Sequence, residues 1–177
     1  MKQTRKRRLF IGVAMAGAFM LAGCGVVNGN ASSILSFNSS AKTVTLNLAG
    51  GLNTNNDSMN LDGYSQGQMT VTVPVGYKVK VEFVNDGGIP MDLAVYTMND
   101  QLAFPGAGDS VTAIQGNASA GVIPGQSTSF TFTASQPGNY QLANLLDRVT
   151  GHGQFDFGMW AHFNVSSTAT QPSITLS

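Results

Sequence analysis

Residues 138–165 read GNYQLANLLDRVTGHGQFDFGMWAHFNV, a strand, a long loop and a second strand. Pro137-Gly138 turns the chain into a strand over 139–144, and the final strand runs over 159–165. On that last strand Met159, Ala161, Phe163 and Val165 share one parity, and Trp160, His162 and Asn164 share the other. Side chains alternate across a strand with a period of two, so the first set faces a core and His162 points outward.

The same period repeats upstream. Residues 43–48 (TVTLNL) put Val44, Leu46 and Leu48 on one face. Residues 68–73 put Met69, Val71 and Val73 inward and Thr70 and Thr72 outward. After a turn at Pro74-Val75-Gly76, residues 77–84 turn Val79, Val81 and Phe83 inward and Lys78, Lys80 and Glu82 outward. Residues 92–98 read as another strand, and in 127–133 Phe130 and Phe132 alternate with Ser and Thr. Residues 50–67 and 85–88, rich in Asn, Asp and Gly, read as loops. Residues 99–123 are irregular, a length that calls for a local role in a compact domain. There is no amphipathic helix of ordinary length. The pattern predicts an all-β fold, a Greek-key β-sandwich of about seven to eight strands over residues 42–166. Residues 167–177 read as a disordered tail.

The N-terminal segment is of a different kind. A basic start (KQTRKRR) precedes an apolar run over 9–21 and then Leu21-Ala22-Gly23-Cys24. The run is short for a membrane span and has the flanks of a signal peptide. It resembles a bacterial lipoprotein signal, which implies that residues 1–23 are removed and that Cys24 is lipidated. An uncleaved anchor is the alternative, and either way the domain faces outside the cytoplasm. The expected place is the cell envelope, at the outer face of a bacterial membrane. Residues 24–41, rich in Gly, Asn and Ser, read as a flexible tether. Cys24 is the only cysteine, so the core must hold the domain together without a disulfide.

Charge excludes one class of partner. Charged residues are 10% of the chain, far below the usual share of about a quarter. Beyond Cys24 only Lys42, Lys78, Lys80 and Arg148 oppose all nine acids. Such a surface has no footprint for nucleic acid. So few carboxylates suit an acidic medium as well as they suit an ordinary secreted β-protein rich in Ser and Thr. Enzymatic chemistry is not expected either. The two histidines and the scattered carboxylates make no nucleophile elbow, phosphate loop or three-ligand zinc spacing.

Several segments together resemble the sulfocyanin-like cupredoxins, a blue-copper family. They are GYSQGQMTVTVPVGY (63–77), VEFVN (81–85), Ile89-Pro90, FPGA (104–107), PGQS (124–127), FTFTA (130–134), Gly138-Asn139-Tyr140 and Gly158-Met159-Trp160. The resemblance covers about residues 40–166 and implies an extracytoplasmic electron carrier with one type 1 copper. Its ligands in the family are a His after the I-P dipeptide, a Cys ending the strand after G-x-Y, a His in the next loop and the Met of G-M-W. Carried over, Met91 stands at the first His position, Asn144 at the Cys position and Met159 at the Met position. The family loop reads C-x4-H-x4-M. Here seven residues separate Asn144 from His152, and six separate His152 from Met159. The loop has grown by five residues. Counting back from Met159 puts Val149 at the Cys position and Gln154 at the His position.

A type 1 centre needs a thiolate, and the region after Cys24 contains none. The expectation is therefore a lipid-anchored domain with its copper site lost and a non-redox structural or interaction role. Its contacts would be the membrane, through Cys24, and a respiratory or copper-handling protein. A second expectation keeps copper. Met91, His152 and Met159 form a soft set that suits Cu(I). Otherwise Met91 and Met159 fill the apolar end of the sandwich, and His152, between Gly151 and Gly153, is a plain loop histidine. Phe155 and Phe157 either cap that end or form an apolar patch for a partner. Met91→His with Asn144→Cys is not expected to rebuild a blue site, because the longer loop misplaces His152.

Overall fold

The structure, a computed structural model, describes residues 31–112, 120–146 and 153–177. The segment expected to be a signal peptide, Cys24 and His152 lie outside the described residues. The strands are β1 (Leu35–Asn38), β2 (Thr43–Gly50), β3 (Met69–Pro74), β4 (Lys78–Asn85), β5 (Ala94–Tyr96), β6 (Ser127–Thr133), β7 (Gly138–Ala143), β8 (Trp160–Ser166) and β9 (Ser173–Leu176). They form a four-stranded sheet, β1-β2-β4-β6, and a five-stranded sheet, β5-β7-β8-β3-β9. The expected all-β sandwich is what the chain builds.

The connectivity explains the pairing. β2 lies in one sheet, β3 in the other, and β4 returns to the first. Each crossing reverses the chain, so β2 and β4 run parallel side by side, in register from Thr43↔Lys78 to Gly50↔Asn85. The inward sets read from the sequence are buried: Val44, Leu46 and Leu48, then Met69, Val71 and Val73, then Val79, Val81 and Phe83. The Phe132 and Phe163 rings, one from each sheet, meet at 5.8 Å. Burial of such side chains is worth about 1.5–3 kcal/mol each and drives the two layers together.

Two boundaries are corrected. The segment read as a tether, 24–41, contributes β1, whose Leu35 and Phe37 are buried and which pairs with β2. The segment read as a disordered tail, 167–177, contributes β9, which pairs with β3 (Val71↔Ile174). In both cases a strand with unmet backbone groups is satisfied by a short outer one. Four residues carry too little alternation to stand out in the sequence. These two strands raise the expected seven or eight to nine among the described residues.

The irregular segment has its local role. Phe104 stacks on Phe132 at 5.4 Å and tilts against Tyr140 at 4.9 Å. Val95 N–H donates to the Ala107 carbonyl and Ala103 N–H to the Val95 carbonyl, so this loop covers the edge at β5. Among the described residues no helix is long and apolar enough to cross a membrane.

Candidate functional site

One end of the sandwich collects the end of β4, the segment leading into β5, the exit of β7 and the entry of β8. Asn85, fully buried at the end of β4, organises the first of these. Its Nδ2 donates to the carbonyls of Ile89 (2.8 Å) and Val122 (2.6 Å), and its Oδ1 accepts from Gly87 N–H (2.9 Å). That amide folds residues 86–90 back over the sheet. Met91 is then held by a two-way backbone bridge to Val122.

The Met91 side chain runs inward over glycines. A Cβ placed on Gly50 would lie 2.8 Å from Met91 Sδ and 2.9 Å from Met159 Cε. One on Gly87 would lie 2.5 Å from Met91 Cε. Glycine at 50 and 87 therefore makes the space that two thioethers fill, and both methionines are buried.

The third side is polar. Asn144 follows β7 directly, and its backbone N–H donates to the Met159 carbonyl at 3.1 Å. Its side-chain Oδ1 accepts from Leu146 N–H at 3.0 Å. That bond fixes the orientation of the amide and turns Nδ2 toward Gln154 Oε1 (2.7 Å) and Met159 Sδ (3.1 Å). Gln154 in turn donates from Nε2 to the Pro90 carbonyl at 2.8 Å. Asn144 and Gln154 are 0% and 5% exposed, so these bonds form out of water, where leaving them unmade is costly.

Beside this chain lies Asp92, also fully buried. Its Oδ1 accepts from Leu145 N–H at 2.7 Å, and its Oδ2 accepts from the Tyr96 hydroxyl at 3.4 Å. The Thr112 hydroxyl, 2.6 Å away, donates in turn to the Tyr96 oxygen. Burial, and then the charge of Asp92, push the Tyr96 phenol above its ordinary range, which favours the protonated form that donates to Asp92.

The structure places Met91 and Met159 beside the same space at Gly50, while His152 falls outside the described residues. Asn144, at the predicted Cys position, contacts Met159. Gln154 is the member that the spacing from His152 hid; the count back from Met159 was the signal for it. His162 faces solvent as expected, with Trp160 edge-on at 5.2 Å. The two phenylalanines divide between the alternatives. Phe155 stacks on Trp160 at 5.8 Å, outside the Met91–Met159 core, and Phe157 is exposed. A groove of about 530 Å³ lies elsewhere, on the outer face of the four-stranded sheet, lined by Asn47, Asp62, Glu82, Ser127 and Ser129 among others.

Residues 29–176 match the family described as the sulfocyanin (SoxE) domain. No curated protein matches the chain. Among solved structures, auracyanin B is similar at 21% identity, over 80% of this chain and 94% of its own, with a TM-score of 0.46. Dithionite-reduced auracyanin from Roseiflexus castenholzii is similar at 19% identity, over 69% and 96%, with a TM-score of 0.44. The multicopper oxidase mgLAC is similar at 17% identity over 62% of this chain, with a TM-score of 0.47, and the match spans 32% of that longer protein.

Proposed function

This chain belongs to the sulfocyanin (SoxE) domain family, and we propose that it is a lipid-anchored, extracytoplasmic member whose type 1 copper site is lost and whose role is structural or in protein interaction. The observation that carries the reading is the Asn144 carboxamide. It stands where the family has its thiolate, and it is hydrogen-bonded to Gln154 and to the Met159 sulfur. A type 1 copper is held by two imidazoles and a thiolate, with a weak axial thioether. Here the converging side chains are two thioethers and two carboxamides. The only cysteine is Cys24, in the L-A-G-C box. These residues do not fit that metal.

The basic start, the apolar run and Cys24 support anchoring at the outer face of a bacterial membrane. The interaction role draws on exposed apolar side chains carried by the segments that meet at this end: Ile89, Ile123 and Phe157. A respiratory or copper-handling protein beside the anchor is the proposed partner. A second reading, Cu(I) held by Met91, Met159 and His152, is favoured by the two thioethers that meet over Gly50.

Copper titration of the full chain carrying Cys24→Ser, which removes the one competing thiol, separates these readings. The expected result is no intense visible absorption with Cu(II) and no competition with a chelator for Cu(I). A blue protein would restore electron transfer as the function. Tight Cu(I) binding lost in Met91→Ala and in Met159→Ala would establish the soft-metal site instead.

A further inference from the structure

We infer that Met91, Asn144, Gln154 and Met159 form an amide lock that replaces a four-ligand metal site position for position, with Gln154, not His152, at the second imidazole position. The inference rests on the reading that the copper is lost, and goes beyond it by assigning what took its place.

Spacing supplies the first argument. Four residues lie between Gln154 and Met159, the same number that the family has between its loop His and Met. All five extra residues then fall between Asn144 and Gln154. The turn that follows is closed on itself: Gly153 N–H donates to Asp156 Oδ2 at 3.1 Å, Asp156 N–H to the Gly153 carbonyl at 2.9 Å, and Met159 N–H to the Gln154 carbonyl at 3.1 Å. An insertion before this turn leaves the Gln154–Met159 relation unchanged.

Hydrogen-bond polarity supplies the second. From the Pro90 carbonyl the chain runs through Gln154 Nε2 and Oε1 to Asn144 Nδ2 and Oδ1, and ends at Leu146 N–H. Every link pairs a donor with an acceptor, and both Nδ2 hydrogens of Asn144 have acceptors, Gln154 Oε1 and Met159 Sδ. The chain ties the segment before β5, the exit of β7 and the turn before β8. Those are the three segments that a shared metal ion would tie. The closure an ion would provide is supplied here by two neutral amides, which need no charge compensation when buried.

The test uses the full chain with Cys24→Ser. The triple variant Met91→His/Asn144→Cys/Gln154→His should take one equivalent of Cu(II) and develop the intense visible absorption of a copper–thiolate bond. The double variant Met91→His/Asn144→Cys, which leaves His152 as the only loop imidazole, should not. Equal colour in both would put His152 at the ligand position, and a folded, colourless triple variant would refute the positional match; either overturns the inference. A thermal-melt cycle of Asn144→Ala, Gln154→Ala and the pair applies even where the triple variant does not fold. The pair should lower Tm by clearly less than the sum of the singles, and strict additivity would overturn the lock. Failure of the functional reading is seen separately, as copper binding by the chain before these substitutions.

Discussion

Asn144 Nδ2 lies 2.7 Å from Gln154 Oε1, two buried carboxamides facing each other from positions ten apart in the chain. The contact joins the exit of β7 to the turn that enters β8, and through Gln154 it reaches the Pro90 carbonyl, 64 residues away in sequence. One pair of side chains therefore bonds to three segments, beside the Asn144–Met159 backbone bond and the Leu145–Asp92 bond.

Asn85 is expected to be the most sensitive polar residue outside that pair. Asn85→Ala leaves the Ile89 and Val122 carbonyls without their donor, at a cost of about 1–3 kcal/mol. Asn85→Asp keeps the acceptor for Gly87 N–H but not the donors, so it should not recover the loss. Urea unfolding of both variants checks this.

Gly50→Ala should destabilise although alanine is the better residue for ordinary backbone. The added methyl would meet Met91 Sδ, Phe83 Cζ and Met159 Cε, all within 2.9 Å. Overpacking of this kind costs about 1–3 kcal/mol. Met159→Ala in the same chain frees one of the three neighbours, and the two changes together should cost less than their sum in a denaturant cycle.

Asp62 predicts a stability that increases in mild acid. It is partly buried, and both its carboxylate oxygens accept from Ala49 N–H at 3.4 Å. Burial raises its pKa from 3.8 to about 7, the Ala49 bond offsets part of that, and the charge of Asp86 adds to the rise. The folded state therefore binds the proton more tightly than the unfolded state. Its contribution is fully present below about pH 4 and is lost as pH rises through about 7. Thermal melts across that window should show Tm falling as pH rises, and Asp62→Asn should flatten the slope. An unchanged slope would remove Asp62 as its cause.

Truncation after residue 170 should weaken the domain. It removes β9 and leaves the β3 edge unpaired from Met69 to Thr72. An open edge is a template for pairing with another chain. Size-exclusion chromatography should show dimers or larger species, and Ile174→Ala in the intact chain should lower stability without them.

Much of the sandwich is legible in the sequence alone. Residues 77–84 alternate so cleanly that their inward and outward faces follow from the period of a strand alone, and Val79, Val81 and Phe83 are buried as that period requires. The absence of a thiolate after Cys24 was equally plain, because composition does not depend on how the chain folds. The short outer strands were not legible: Leu35 with Phe37, and Ile174 with Leu176, are single alternations that any loop could carry, and the unpaired edges of β2 and β3 select them. The partners at the closed end were hidden for the same reason. Leu145 meets Asp92 across 53 residues and Gln154 meets Pro90 across 64, separations at which local pattern carries no information. Sequence by itself determined the layers and the missing thiolate, because periodicity and residue chemistry are local properties. Only the tertiary structure decided that Gln154 faces Asn144, because two buried amides find each other through the packing of strands distant in the chain.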